Sequence, residues 1–223
     1  MQKHIVFDLD WTLSDTQKIH EKVESDFLKS KWIDIEPSSI WKKYAWRTPQ
    51  EWIWELLSEE NIAHTKEELE DFVSRKDETV ISLLEKWEIE LMPHARESLE
   101  LLLENGYRIW ISSWACREFI DKFIVHFGLE NIIMASTSAN EVMNKKPNPD
   151  VFLSSFDKLE KIFWISELRY VVWDGWSDVE WWHRSWAKTI WLNYNKKQRQ
   201  NPDLCDFEIE SLKEMEDILI LKS

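Results

Sequence analysis

Two carboxylates, Asp8 and Asp10, stand two residues apart directly after the short apolar run His4-Ile5-Val6-Phe7, with Thr12 just beyond them. Further along come Ser112-Ser113, then Lys146 in front of Pro147, and last Asp174 with Asp178 four residues later. Carboxylates gathered in such numbers around one lysine are costly unless a cation compensates them. The candidate ligands are all oxygen, with no His or Cys pair among them, so Mg²⁺ is the matching metal. A carboxylate nucleophile can form an aspartyl-phosphate and split a hard hydrolysis into two easier steps. A second carboxyl two residues on points to the same side of an extended segment. There it can protonate a leaving oxygen and later activate water, an effect of roughly 10²- to 10⁴-fold. Lys146 and a serine hydroxyl, Ser112 or Ser113, can hold the transferring phosphoryl oxygens.

These residues must be delivered by a scaffold, and the periodicity describes one. The first apolar run reads as a buried parallel strand. Residues 15–90 read as wholly helical: Ile19, Val23 and Phe27 share one spacing, and Ile53, Leu56 and Leu57 another. A third helix is expected around Leu69, Phe72 and Val73, and a separate fourth around Val80, Leu83 and Leu84. After Pro93 a helix with Leu99, Leu102 and Leu103 stops at Asn105-Gly106. Strands are then expected over Tyr107 to Ser112, Ile132 to Met134, Tyr170 to Val172, Lys188 to Leu192 and Phe207 to Ile209. Helices are expected between them: around Phe119 to Phe127, from about Pro149 and over 177–186, with a last one after Ile209. Alternating strands and helices imply an α/β fold with a parallel sheet covered on both faces, whose ligands sit at the carboxyl ends of the strands. The expected domains are a Rossmann-like core of residues 1–14 and 91–223 and a small helical domain of residues 15–90 inserted after the first strand.

The run DLDWTLSDT resembles the first signature of the haloacid dehalogenase superfamily, whose usual form is DxDGT. ISS, KKPNPDVF and VVWDGWSD resemble its second, third and fourth motifs, in order, so the likeness spans essentially the whole chain. The helical insert is similar to the cap of the phosphoglycolate phosphatase and β-phosphoglucomutase branch. The resemblance implies Asp8 as nucleophile, Asp10 as general acid and base, and Ser113 and Lys146 as phosphate binders. It implies Mg²⁺ held by the Asp8 and Asp174 side chains and the Asp10 backbone carbonyl, with Thr12 and Asp178 supporting the site. By the same resemblance His20, in DTQKIH, and Arg47, in YAWRTPQEW, are candidate substrate contacts. The implied activity is a phosphatase acting on a small phosphorylated metabolite. A β-phosphoglucomutase-like mutase is the alternative enzyme, and a non-catalytic binding protein the alternative of another class.

The formal net charge of -14, from 42 acidic and 28 basic residues, argues against nucleic acid or an anionic membrane as partner. Cys116 and Cys205 form no metal-type pair, and the start MQKHIVFDLD lacks a signal peptide's apolar run, so the cytoplasm is the expected compartment. One count is abnormal: 16 Trp against 3 Gly, where a typical chain of this length has roughly 16 glycines. Trp11 takes the place of the Gly in DxDGT, Trp32, Trp46, Trp173, Trp186 and Trp191 also fall where glycine is expected, and Trp114 and Trp164 fall at turns. The economical explanation is a UGA codon, glycine in some bacterial codes, rendered as tryptophan. Trp52, inside an amphipathic helix, is the best candidate for a genuine tryptophan. A chain that literally carries Trp11 and Trp173 is expected to be weakly active and poorly stable.

Overall fold

The computed structural model describes residues 3–35, 39, 43–44, 47–143, 150–163, 168–175, 187–194, 196 and 205–221. It divides into two compact units, one of Met1–Asp15 with Ile89–Ser223 and one of Thr16–Glu88.

The first unit is built on a six-stranded sheet of β1 (Lys3–Phe7), β2 (Tyr107–Ser113), β3 (Ile133–Ser138), β4 (Leu168–Trp173), β5 (Lys188–Leu192) and β6 (Phe207–Ile209). Every neighbouring pair is parallel and the order is β3-β2-β1-β4-β5-β6. Strand β1 is therefore central, flanked by β2 and β4 with Phe7 in register with Ile111 and Val172. Ile5, Val6 and Phe7 have no exposed surface, nor do Ile109, Ile111, Val171 and Val172. That is why these strands read as unbroken apolar runs and not as alternations. Helices α4 (Ala95–Glu104), α5 (Arg117–His126) and α6 (Asp150–Phe163) alternate with the strands, and a short α7 (Met215–Leu219) closes the unit. The expected helix over 177–186 lies outside the described residues, as do Trp46, Trp164 and Trp186. Trp173 and Trp191 occupy register-paired positions on β4 and β5 and are fully buried in the core with Val6 and Phe152.

The second unit is helical: α1 (Gln17–Ser30), α2 (Pro49–Glu59) and α3 (Lys66–Glu85). Helix α2 begins with Pro49 at its first position behind a capping box, Thr48 accepting from the Glu51 amide while Glu51 returns to the Thr48 amide. Leu28, Trp52, Ile53, Leu57, Leu69 and Phe72 form its core. The two helices expected around Leu69 and Val80 are one continuous helix, α3. Nothing in Ser74-Arg75-Lys76-Asp77-Glu78-Thr79 breaks a helix. The apparent gap in the apolar pattern is Lys76, which lies on the same buried face and forms an ion pair with Glu24 of α1. A buried charge, paired, took the place of an apolar residue.

At the start of β1, His4 is fully buried, and neither ring nitrogen has a hydrogen-bond partner among the described residues. Burial, reinforced by the Arg169 and Arg108 charges, lowers its pKa to about 4. Above that pH the native imidazole is neutral, whereas the unfolded chain takes up a proton below its ordinary value of about 6.5. The unfolded state thus binds more protons across this window, and stability falls as the pH drops. The expected loss from this group is about 2 kcal/mol between pH 7.5 and pH 5. Urea unfolding at the two pH values checks it: His4→Leu should remove that share of the difference, and an unchanged difference would refute the assignment.

Candidate active site

Of the residues singled out by type and spacing, Asp8, Asp10, Thr12, Ser113 and Asp174 are described at the carboxyl edge of the central strands. Asp8 is the first residue past β1, and its amide continues the ladder by donating to the Val172 carbonyl at 2.9 Å. Its Oδ1 accepts the Leu9 amide at 2.9 Å, which fixes the carboxylate against its own backbone. Only 9% of Asp8 is exposed. The chain then turns sharply about one carbonyl: Leu9 O accepts the amides of Thr12, Leu13 and Ser14. Trp11 donates its amide to Ser14 O at 2.8 Å from a left-handed conformation, φ 62°. Ser14 in turn bridges to Leu91, tying this turn to the chain as it enters α4. Thr12 is buried in the turn, and its hydroxyl has no partner among the described residues.

Asp10 and Ser113 are brought together. Ser113, the last residue of β2, lies with its Oγ 3.4 Å from Asp10 Oδ2 and accepts the Ala115 amide at 2.9 Å. Its neighbour Ser112 faces the opposite side of the sheet, as strand alternation requires. Ser112 Oγ sits 2.5 Å from Ser155 Oγ of α6, and Ser155 reaches Thr137 Oγ1 at 2.8 Å. Trp110 Nε1 donates to that same threonine at 3.1 Å. Register thus separates the two serines: Ser113 lies beside Asp10, and Ser112 belongs to a buried hydroxyl cluster.

Asp174 follows β4 directly and is 5% exposed, so it and Asp8 stand at the ends of adjacent parallel strands. Its carbonyl accepts the Trp191 indole N–H at 2.9 Å. Among the described residues no three carboxylate, imidazole or thiol side chains form a closed metal cage. The donors present suit Mg²⁺ nonetheless, because that ion takes one or two carboxylates and fills its octahedron with water and phosphate oxygen. Asp8, Asp174 and a main-chain carbonyl such as that of Asp10 are the residues that would hold such an ion, without a third side chain.

Lys146 and Asp178 lie outside the described residues. His20 and Arg47 belong to the helical unit: His20 is in the first turn of α1, and Arg47, half exposed ahead of α2, is ion-paired with Glu55. Two features of the site had no mark in the sequence. One is the Leu9 carbonyl as the hub of the turn, and the other is the Ala115 amide that orients Ser113; both are main-chain groups.

The helices of the described residues include none long and apolar enough to cross a membrane. The profile of the haloacid dehalogenase-like hydrolases matches residues 5–167. Hexitol phosphatase B of Escherichia coli K12 is 26% identical over 164 residues, covering 69% of this chain and 68% of that protein. Protein CbbY of Rhodobacter capsulatus is 24% identical over 173 residues, 70% of this chain and 71% of its own. In fold, CbbY from Rhodobacter sphaeroides in complex with phosphate superposes with a TM-score of 0.78 at 18% identity, covering 96% of each chain. The β-phosphoglucomutase of Clostridium difficile does so with a TM-score of 0.78 at 19% identity, covering all of this chain and 96% of its own. The family match over most of the chain, on a parallel sheet whose carboxyl edge carries Asp8, Asp10, Ser113 and Asp174, makes this protein a member of the haloacid dehalogenase-like hydrolases.

Proposed function

We propose that the chain is a phosphatase that hydrolyses a small phosphorylated metabolite of the sugar-phosphate kind through an aspartyl-phosphate on Asp8. The observation that carries this reading is the pairing of Asp10 with Ser113 beside Asp8, at the carboxyl ends of β1 and β2. The names of the relatives, a hexitol phosphatase and a CbbY complex with xylulose-1,5-bisphosphate, support the substrate class.

In the first step the Asp8 carboxylate oxygen attacks phosphorus and the bond to the leaving oxygen breaks, Asp10 supplying that oxygen with a proton. In the second, Asp10 as carboxylate takes a proton from water, whose oxygen attacks phosphorus and frees Asp8 and inorganic phosphate. Ser113 donates to a phosphoryl oxygen, held in place by the Ala115 amide, and Lys146 is assigned the same duty. Mg²⁺ bound by Asp8, Asp174 and the Asp10 carbonyl supplies neutralising charge for the phosphoryl group. Thr12 and Asp178 support this set. The helical unit is assigned the role of a cap that excludes water, with His20 and Arg47 as its substrate contacts and the cytoplasm as its compartment.

The test is release of inorganic phosphate from an aryl phosphate and a panel of sugar phosphates. Release with Mg²⁺ that stops on chelation and returns on re-addition is expected. Interconversion of sugar phosphates without release would favour a mutase, and no turnover with any substrate would favour a binding protein.

Register separates the two serines by experiment. Ser113→Ala is expected to lower kcat by about 10²-fold, the usual cost of removing one donor from a developing anion. Ser112→Ala should leave kcat near the parent value and lower stability by about 1–3 kcal/mol, because it strands buried partners. Steady-state kinetics with urea unfolding of both variants reads this out; the reverse pattern would refute it.

A further inference from the structure

Four helices among the described residues end in one recurring way. After α5, the Leu129 amide donates to Ile124 O at 2.8 Å and the Gly128 amide to Val125 O at 3.0 Å, with Gly128 at φ 60°. That is the Schellman motif, whose left-handed residue is ordinarily glycine, with asparagine next. After α2 the same bonds run from Ile62 to Leu57 O and from Asn61 to Ser58 O, with Asn61 at φ 56°. After α1 they run from Ile33 to Leu28 O and from position 32 to Lys29 O, at φ 62°. After α3 they run from Glu88 to Leu83 O and from position 87 to Leu84 O, at φ 61°. The residues at 32 and 87 are both tryptophan.

A left-handed conformation costs an L-residue with a bulky Cβ substituent stability that glycine keeps. Neither indole is sunk in a core that would offset this, since Trp32 is 97% exposed and Trp87 68%. The third case is position 11, at φ 62° in the turn wrapped about the Leu9 carbonyl. Among the described residues six that are not glycine have positive φ, and three of the six are tryptophan. Tryptophan has no physical claim on that region, whereas the scarcity of glycine, 3 in the chain against 16 Trp, is what a swapped pair of residues would leave.

We infer that positions 11, 32 and 87 of the functional protein are glycine, encoded by UGA codons that the translating machinery reads as glycine. The backbone carries this conclusion independently of the motifs, and it adds position 87, which no motif marks. It also stands apart from the chemistry proposed for Asp8. Trp52 provides the contrast: it is 2% exposed within the helical core, stacked on Tyr44 with ring centroids 6.0 Å apart, and has no positive φ.

The experiment is peptide mass spectrometry of the protein isolated from its own cells, read beside the codons of its gene. Glycine at 11, 32 and 87 from UGA, with tryptophan at 52 from UGG, is the expected result. Tryptophan at any of the three overturns the inference for that position, and UGG codons at all three overturn it altogether. A recombinant pair adds a physical readout. Trp32→Gly and Trp87→Gly should each raise the unfolding temperature by about 2–4 °C over the tryptophan form, as relief of a left-handed side chain predicts in a chain of this size. No rise at either site would remove the strain on which the inference rests.

Discussion

Asp8→Asn is expected to lower turnover of an aryl phosphate by about 10⁴-fold or more, the scale on which covalent catalysis is lost when its nucleophile is removed. The amide matches the carboxylate in shape. Its oxygen can still accept the Leu9 amide that now holds Asp8 Oδ1 at 2.9 Å, so the turn should survive. What disappears is the anionic oxygen proposed to form the bond to phosphorus, together with one proposed carboxylate donor to Mg²⁺. The first loss is chemical and the second can be measured separately, since a weakened metal site is partly restored by raising Mg²⁺ whereas a missing nucleophile is not. The decisive comparison is therefore made at saturating Mg²⁺ in the same polypeptide background, with unfolding temperatures recorded alongside. Activity within 10-fold of the parent would remove the aspartyl mechanism. A collapse in unfolding temperature would show a structural fault instead.

The central strands and the carboxylates at their ends were readable because each rests on a local, strong signal. Ile5, Val6 and Phe7 of β1, like the buried residues of its neighbours, write a short apolar run, and the chemistry-bearing residue follows at the strand's end, as at Asp8 and Asp174. Strand β5, Lys188–Leu192, and strand β6, Phe207–Ile209, fall where the apolar pattern placed them. Helix α3 shows the limit of that pattern. Its buried face includes Lys76, and a lysine reads as solvent until Glu24, 52 residues away, is known to lie against it. The serines show a second limit. Ser112 and Ser113 differ by one step along β2, which reverses the face each one presents, and no property of the pair itself reveals the register. The left-handed residues show a third. Position 87 follows an ordinary amphipathic helix, and its demand for glycine becomes visible only in the paired carbonyl contacts of the last turn.

Asp10→Asn is expected to separate the two half-reactions. With a sugar phosphate the leaving group is a strongly basic alkoxide, so loss of the proton donor should slow the first step by about 10²- to 10⁴-fold. An aryl phosphate needs far less help, because its leaving group departs as a stable phenolate. For that substrate the attack by Asp8 should proceed while the second step, which needs Asp10 as base to activate water, falls behind. The prediction is a burst of phenol equal to the enzyme concentration, followed by slow steady turnover, with the phosphoryl group retained on the protein. The neighbour of Asp10 sharpens the reading: Ser113 Oγ lies 3.4 Å from Asp10 Oδ2, so an asparagine there keeps a polar contact while losing the titratable proton. Ser113 accepts the Ala115 amide at 2.9 Å independently of Asp10, so its proposed contact with the phosphoryl group should persist in this variant. Rapid-quench measurement with both substrate types reads the outcome. A uniform loss without a burst would mean that Asp10 serves both steps equally or positions the substrate only, and the assignment of general acid and base to this residue would then fall.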